Sequence, residues 1–416
     1  MNFKELFRSK EAYAVFRFPE FRKYMSAKVL LTLAVQMQNV TLYWQIFDIT
    51  KDALSLGLIG LSEAIPSLAV ALYAGHLADK LDRRKIVLCS LFLFVLTSIS
   101  LLLLSLNISK ELIDDKTYYI YAVVFISGIA RGFYRPANFA LLTQLIPRTL
   151  YANSSAWNST FWQGAVVTGA AVGGLIIGYM GIQASYAIAL LLIIASVFMI
   201  FGIAPKPLTE QPEKQSLMSS LTSGIKFVFS SQVFLGALSL DLIAVLFGGA
   251  VALLSVFAKD ILFVGPVEFG FLNAAPAVGA IFTALYLAHK PPLEKAGSNL
   301  MMAVAGFGLC MIFFALSTNF YFSLFILALS GMFDSISVVI RSSIMQMLTP
   351  ENMRGRVSAV NTMFIGSSNE LGAFESGLAA KWLGVVPSVV FGGCVAVFSS
   401  GIAALAAPKL RRLKLN

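Results

Sequence analysis

The sequence predicts an all-α polytopic membrane protein with twelve transmembrane helices, arranged as two parallel repeats of six. Three observations support this: the composition, the length of the apolar runs and a repeat between the two halves. Hydrophobic residues make up 58% and charged residues 12% of the 416 residues, against about 45–50% and about 25% in soluble domains. The apolar residues fall in runs of about 20, the length that a helix needs to cross a bilayer.

The apolar runs are separated by short polar loops, which give approximate bounds for each span. The clearest runs lie at 88–106, 182–204 and 301–316. The predicted spans are 29–49, 54–76, 86–106, 118–143, 154–180, 183–204, 233–258, 268–289, 299–316, 321–347, 355–380 and 386–407.

Basic residues are distributed unequally between the two sides of the predicted membrane. The loops of one side contain only Lys51, Lys110, Lys116, Lys259 and Lys381, whereas the termini and the opposite loops hold most of the rest. Short loops rich in Lys and Arg stay in the cytoplasm. We therefore expect both termini in the cytoplasm, in a multi-pass protein of the bacterial inner membrane, and no removed signal peptide.

The longest polar interval divides the spans into two groups of six. It covers 205–232 and contains several Pro and Lys residues, a composition typical of a boundary between domains. We predict an N-terminal bundle at 1–204, a cytoplasmic linker at 205–232 and a C-terminal bundle at 233–416. Within the linker, 217–229 is expected to form a short helix along the membrane surface.

The two halves repeat in sequence. The segment Gly60–Pro66 of the second span resembles Gly270–Pro276 of the eighth. Parallel repeats are one known way to build a transporter with a site between the halves. In this repeat Arg131 aligns with Asp334, and such opposite charges at membrane depth are expected to face a partner or an aqueous path. The later matches are Gly128 with Gly331, Pro147 with Pro350, Ala156 with Ala359, Asn158 with Asn361 and Gly174 with Gly377.

Several functional classes are not expected. No Gly-Lys pair occurs, so the chain has no phosphate-binding loop for ATP. Three isolated cysteines and two histidines indicate neither a metal centre nor a catalytic set. The net charge of +10 follows the sidedness of the loops rather than indicating nucleic acid. We expect a monomeric non-enzyme without a cofactor, using a proton gradient on a small-molecule substrate in the lipid bilayer.

The loop between the second and third spans carries a motif. It reads Gly75-His-Leu-Ala-Asp79-Lys-Leu-Asp-Arg83-Arg84-Lys85, in which Asp79 can pair with Arg83 one turn on. A basic loop that only fixes topology is the alternative. The segment resembles the signature loop of the major facilitator superfamily, departing from it at Asp82. This resemblance implies a cytoplasmic gate formed by Gly75, Asp79, Arg83 and Arg84.

Further segments resemble the drug:proton antiporter branch of that superfamily, which includes exporters of enterobactin-type siderophores. These segments are 21–24, 44–50, 57–61, 135–137, 241–249, 354–359 and 369–377. One departure lies in the fifth span, where Ala170 follows Gly169 at the position of a proline in many antiporters. The small residues of this segment are still expected to permit close helix packing.

Five acids within the predicted spans are candidates for proton coupling, because a coupled carrier needs a carboxyl group that binds and releases a proton. Glu63 is the leading candidate, since its repeat partner Asn273 is neutral. Structural hydrogen bonds are the alternative for these acids, and Asp241 could instead cap a helix. Asp334 and Arg341 share a helix face and could bridge each other. The five candidates are Glu63, Asp241, Asp334, Glu370 and Glu375.

Polar, basic and aromatic residues inside the spans are candidates for a substrate cavity, since sites for amphipathic ligands combine apolar walls with a few polar groups. Helix packing is the alternative for the polar and aromatic residues, whereas for Arg135 the alternative is a side chain that reaches a lipid headgroup or a backbone carbonyl. The candidates are Gln36, Gln38, Asn39, Trp44, Arg131, Arg135, Asn138, Asn158, Trp162, Arg341 and Asn361.

The function that the sequence predicts is secondary active transport: proton-coupled efflux of a small drug-like or siderophore-like molecule by alternating access. Three alternatives of the same fold are an uncoupled facilitator, an importer and a lipid flippase. A membrane receptor or assembly factor that transports nothing is an alternative of another class.

Overall fold

A computed structural model describes residues 13–106, 113–206, 217–248, 250–289, 294–350 and 353–415. Within these ranges the secondary structure is entirely helical. The side chains of Asp79 and Glu370, both candidate residues, lie outside the described part of the structure.

The first half of the chain forms five long helices. A kink with non-helical backbone at Gly181 divides the last of them into two. Gly181 has a φ of +87°, a conformation that glycine adopts without steric cost. The break lies where the sequence predicted the fifth span to end. The helices are α1 (Pro19–Thr50), α2 (Ala53–Lys80), α3 (Arg83–Leu106), α4 (Ile113–Leu145) and α5 (Tyr151–Phe201).

The second half begins with a short helix, α6 (Leu217–Ser230), in the segment predicted to be helical. Helix α7 (Gln232–Gly248) is followed by a 3-10 turn at Ala250–Leu253, a helical turn at Leu254–Val256 and a π-helical turn at Phe257–Ile261. The remaining helices are α8 (Pro266–His289), α9 (Ala296–Leu316), α10 (Phe320–Leu348), α11 (Arg354–Leu383), α12 (Val385–Ala406) and α13 (Pro408–Arg411).

Eight helical segments of the described chain are long and apolar enough to cross a membrane. One of them, Asn153–Phe201, has 49 residues and therefore has the length of two passages. Helices α1, α4 and α11 are absent from this set, for which only the described residues count. The count of twelve spans and the cytoplasmic position of both termini stay predictions.

The chain divides into two compact units. The N-terminal unit comprises Met1–Leu42 and Ile65–Pro212, and the C-terminal unit comprises Tyr43–Ala64 and Glu213–Asn416. The segment Tyr43–Ala64, the tip of the α1–α2 hairpin, is called the hairpin tip below. Its inclusion in the C-terminal unit was not predicted from the sequence.

The core of the N-terminal unit is formed mainly by α1, α3, α4 and α5. Fully buried members include Phe21, Leu91 and Ile193. Helices α1 and α5 approach closely at Gly169, where an added Cβ would lie 2.9 Å from the carbonyl oxygen of Leu33. The expectation that small residues permit tight packing here is therefore confirmed.

The hairpin tip docks on the C-terminal unit through two glycines. A Cβ added to Gly57 of α2 would lie 3.1 Å from the backbone of Phe374 in α11. A Cβ added to Gly377 of α11 would lie 2.9 Å from the Cα of Gly57. Because each glycine faces the other helix, α2 and α11 cross at backbone contact, as small residues permit in membrane helices.

Candidate functional site

A buried ion pair lies within the C-terminal unit. The Nη1 atom of Arg341 in α10 contacts Oδ2 of Asp241 in α7, and the two side chains are only 6% and 7% exposed. Asp241 is the tenth residue of α7 and lies well inside that helix. The alternative that Asp241 caps a helix is therefore wrong.

Asp334 and Asp241 line the same small cleft, together with Phe307, Phe333 and Ser337. Asp334 lies seven residues before Arg341 on α10, which corresponds to a rise of about 10.5 Å. The guanidinium of Arg341 pairs with Asp241 of the neighbouring helix instead, so the expected bridge between Asp334 and Arg341 is not observed.

This arrangement, called the charged cluster below, combines one guanidinium with two carboxyl groups. With both acids ionised its net charge is negative, and a net charge among apolar helices is costly. A proton bound to either carboxyl group neutralises the cluster. The arrangement can therefore serve chemically as a proton-binding site.

Three candidate residues of the N-terminal unit form hydrogen bonds that join pairs of helices. Lys28 Nζ donates to Asn158 Oδ1 at 2.6 Å, and Gln38 Nε2 donates to Ser98 Oγ at 2.7 Å. The buried Tyr24 hydroxyl donates to the carbonyl oxygen of Asn138 at 3.2 Å. Asn158, Gln38 and Asn138 thus each take part in joining two helices.

The two arginines of the signature loop donate hydrogen bonds to backbone carbonyl oxygens of the N-terminal unit. Arg83 Nη1 donates to the carbonyl oxygen of Ala140 at 3.3 Å, at the end of α4. Arg84 Nη2 donates to the carbonyl oxygen of Phe201 at 2.7 Å, at the end of α5. Gly75 has open space around its Cβ position. The two arginines therefore fasten the ends of three helices, and the pairing of Arg83 with Asp79 stays a prediction.

The other acids and basic candidates are distributed over both units. Glu63 and Glu375 are half-buried in α2 and α11, within the C-terminal unit. Arg131 is half-buried and Arg135 exposed in α4. Arg131 belongs to the N-terminal unit and Asp334 to the C-terminal unit, and their pairing stays a prediction.

The remaining cavity candidates differ in their surroundings. Gln36 packs beside Gly169, and Asn39 and Asn361 are half-buried. Trp162 is 47% exposed on α5. Trp44 packs against the ring of Phe269 with their centroids 5.4 Å apart, so this tryptophan belongs to a contact of the hairpin tip.

Two lysines were missed as functional candidates. In the topology prediction Lys28 counted as part of the N-terminal segment and Lys259 as a loop residue, yet each is at least half-buried against polar partners. The burial of Lys28 could have been predicted from the sequence, because apolar residues lie at helical spacing on both sides of it. Nothing in the sequence pointed to Lys259, because its burial depends on the π-helical turn.

Long apolar helices with a buried ion pair between two of them are typical of a multi-pass membrane protein. Solved structures share this fold. A POT family transporter in complex with a thioalcohol-conjugated peptide is 11% identical with a TM-score of 0.74, over 93% of this chain and 96% of that chain. A D-xylose-proton symporter is 14% identical with a TM-score of 0.69, over 94% and 99%.

The family model of transmembrane secretion effectors, a branch of the major facilitator superfamily, matches residues 10–415. The chain belongs to this family and is a multi-pass transporter of the inner membrane. Similar proteins include the enterobactin exporter EntS of Shigella boydii serotype 4 (strain Sb227), 23% identical over 403 residues, which are 95% of this chain and 94% of the relative. EntS of Escherichia coli O1:K1 / APEC is 22% identical over 400 residues, 95% and 94% of the two chains.

Proposed function

We propose that this transporter exports a small amphipathic molecule, drug-like or siderophore-like, in exchange for protons. It does so by alternating access of a twelve-span fold with both termini in the cytoplasm. The observation that carries the proposal is the charged cluster, in which Asp241 pairs with Arg341 and Asp334 lines the same cleft.

Within the charged cluster, Asp334 is the proposed proton carrier. Arg341 is engaged by Asp241, so Asp334 is the one of the two carboxyl groups in this cluster that has no ion pair within the described ranges. Electrostatic interactions strengthen as the dielectric constant falls. A proton on Asp334 therefore changes the net charge of the cluster. Because the cluster lies among apolar helices, this change has a large effect on the energy of helix packing.

Export as the direction of transport is supported by the relatives, which are named as enterobactin exporters at 22–23% identity. The superfamily fold alone supports either direction. The substrate class is proposed as amphipathic because the candidate sites combine aromatic side chains with few polar groups.

The test is substrate-induced release of protons from acidified proteoliposomes, followed with a pH-sensitive dye inside the vesicles. The compounds are siderophores, cationic dyes and amphipathic antibiotics. Wild type is compared with Asp334→Asn, Glu63→Gln and Glu375→Gln. Glu294→Gln is the matched control, since Glu294 is an exposed carboxylate at the start of the segment leading into α9.

Asp334→Asn is expected to abolish proton release while substrate binding to the purified protein persists, and Glu294→Gln is expected to behave as wild type. Unimpaired proton release by Asp334→Asn would remove Asp334 from the coupling role and leave the carrier among the other four candidate acids, of which Glu63 and Glu375 are tested in the same experiment. Substrate movement that persists without any proton release, in wild type itself, would contradict antiport and favour the uncoupled facilitator.

A further inference from the structure

The N-terminal unit holds an ammonium group against a neutral partner. Lys28 Nζ in α1 donates to Asn158 Oδ1 in α5 at 2.6 Å. Lys28 is half-buried, and in the described part of the chain no carboxylate forms an ion pair with it. The charge of Lys28 is therefore hydrogen-bonded but is not neutralised by a neighbouring acid in these ranges.

Lys28 lies deeper in the unit than the lysine that precedes it. Lys23 Nζ donates to the carbonyl oxygen of Gly202 at 2.6 Å, where α5 ends, and Glu20 pairs with Lys206 at the same end of α1. Five residues of helix rise about 7.5 Å, which places Lys28 about one and a half turns further in. A cation at such a position is costly unless an anion or water compensates it.

Most of the hydrogen-bonding capacity that remains at this pair is donor capacity. An ammonium group has three N–H donors and no acceptor, and an asparagine amide has two further N–H donors besides its oxygen. Because Asn158 Oδ1 already accepts from Lys28, the remaining N–H groups of both side chains suit an anionic acceptor. Hydrogen bonds between charged groups of this kind are about twice as strong as neutral ones.

An exposed aromatic surface lies beside the pair. Trp162 follows Asn158 by four residues in α5, so both side chains lie on one face of the helix. The indole of Trp162 is 47% exposed. A cationic donor set next to a flat apolar surface is the arrangement that an amphipathic anion would require.

We propose that Lys28 and Asn158 bind the anionic group of the transported substrate, a carboxylate, phenolate or sulfonate, and that Trp162 contacts its aromatic part. This inference rests on the proposed transport function and narrows its substrate class to anionic amphipathic molecules. The competing explanation is a hydrogen bond that only holds α1 against α5.

The test measures equilibrium binding to purified protein in phosphatidylcholine nanodiscs, with empty nanodiscs subtracted. The probe is 1-anilinonaphthalene-8-sulfonate, and its uncharged parent N-phenyl-1-naphthylamine is the matched ligand control. The variants are Lys28→Gln, Lys28→Arg and Asn158→Asp. Lys23→Gln is the matched protein control, since it removes a lysine charge from the same helix outside the proposed site.

Lys28→Gln is expected to weaken sulfonate binding at least about tenfold, the effect of losing one charged hydrogen bond, with binding of the uncharged parent unchanged. Lys28→Arg and Lys23→Gln are expected to keep sulfonate binding. Asn158→Asp separates the two explanations, because the new carboxylate pairs with Lys28 and preserves the helix contact while repelling an anion. We expect this variant to fold with at least wild-type thermal stability and to lose sulfonate binding.

Wild-type sulfonate affinity in folded Asn158→Asp, or no saturable sulfonate binding to wild type, would overturn the proposal. Because binding is measured without a gradient, a failure of proton coupling alone would leave these results unaffected. The two proposals can therefore fail separately.

Discussion

The ammonium group of Lys259 lies 4.0 Å from the centroid of the Trp44 indole ring. The same Nζ atom donates to Asp48 Oδ1 at 2.8 Å. Lys259 lies in the π-helical turn at Phe257–Ile261, and such turns occur frequently at functional positions. Lys259 therefore fastens the hairpin tip to the segment that follows α7, by an ion pair with Asp48 and by cation–π contacts with Trp44 and Phe47.

The first prediction concerns the strength of this contact. Lys259→Met is expected to weaken docking of the hairpin tip by about 1 kcal/mol, the scale of a cation–π contact. An opened tip then becomes about fivefold more populated. The measurement is the rate at which a maleimide labels Leu56→Cys, a fully buried position of the tip, in a protein whose three native cysteines are replaced by alanine.

Lys51→Met is the matched control for this experiment. Lys51 also pairs with Asp48, at 3.2 Å, but its side chain is 62% exposed, whereas that of Lys259 is 13% exposed. Exposed ion pairs contribute little, so Lys51→Met should leave the labelling rate almost unchanged. Equal acceleration by both variants would show that the cation–π contact and the burial of Lys259 do not determine docking.

The second prediction concerns the crossing of α2 and α11. In Gly377→Ala the new methyl group would lie 2.9 Å from the carbonyl oxygen of Ala53 and from the Cα of Gly57. Backbone atoms cannot move aside singly, so we expect a loss of about 1–3 kcal/mol, as for other overpacked sites. The measurement is thermal unfolding of the purified protein in detergent.

Gly401→Ala is the control for the second prediction, because nothing lies within 4 Å of its Cβ position in α12. Alanine favours a helix over glycine by about 1 kcal/mol, so this variant should be as stable as wild type or more stable. A Gly377→Ala protein as stable as Gly401→Ala would contradict the close crossing.

Helix positions were predictable from the sequence where apolar runs end cleanly. The predicted spans 86–106, 299–316 and 386–407 agree with α3, α9 and α12 to within three residues at each end. Helix α1 differs, since it begins at Pro19, ten residues before the predicted span. A span predicted from hydropathy ends at the first charged residue. The helix itself continues past that residue, because its backbone hydrogen bonds do not depend on the polarity of the side chain. This is why Lys28 was assigned to a terminal segment.

The pairing of site residues was not predictable, because periodicity fixes the face of a helix but not its neighbour. Arg341 and Asp334 were correctly placed on one face of one helix. The partner of Arg341 is nevertheless Asp241, one hundred residues earlier, because α7 packs beside α10. For the same reason nothing in the sequence indicated that Trp44 contacts Lys259.

The third prediction concerns a pH-dependent contact at the start of α1. Glu20 pairs with Lys206 at 2.5 Å and accepts a hydrogen bond from the backbone N–H of Ala204 at 3.2 Å. Partial burial raises the pKa of Glu20, but the bonds from Lys206 and Ala204 together outweigh it and leave the pKa below the ordinary value of 4.5. The ionised form is thus favoured in the folded protein.

A lowered pKa means that Glu20 stabilises the fold above about pH 4.5, and that this contribution disappears as the pH falls through the lowered value. Glu20→Gln is expected to lower stability at pH 7 by at most about 1 kcal/mol, as for a partly exposed pair. Wild type and variant should converge in thermal unfolding as the pH falls through the lowered pKa of Glu20. A difference that grows on acidification would contradict the assignment, and Glu294→Gln serves as the exposed control.

The fourth prediction concerns the buried pair of Asp241 and Arg341, whose side chains are 7% and 6% exposed. Removing one member of a buried ion pair leaves an uncompensated charge and typically costs about 3–5 kcal/mol. Arg341→Met is expected to be the more harmful single change, because it leaves Asp241 and Asp334 together in one cleft. After Asp241→Leu, by contrast, Arg341 still has Asp334 on its own helix.

The double variant Asp241→Leu with Arg341→Met provides the decisive measurement for the fourth prediction. Replacing both members of a buried pair by apolar residues is often neutral, so the double variant should unfold at a higher temperature than Arg341→Met alone. The coupling energy follows from a double-mutant cycle of thermal unfolding in detergent. Strict additivity of the two single changes would show that the pair is not an energetic unit and would remove the structural basis for assigning the free proton site to Asp334.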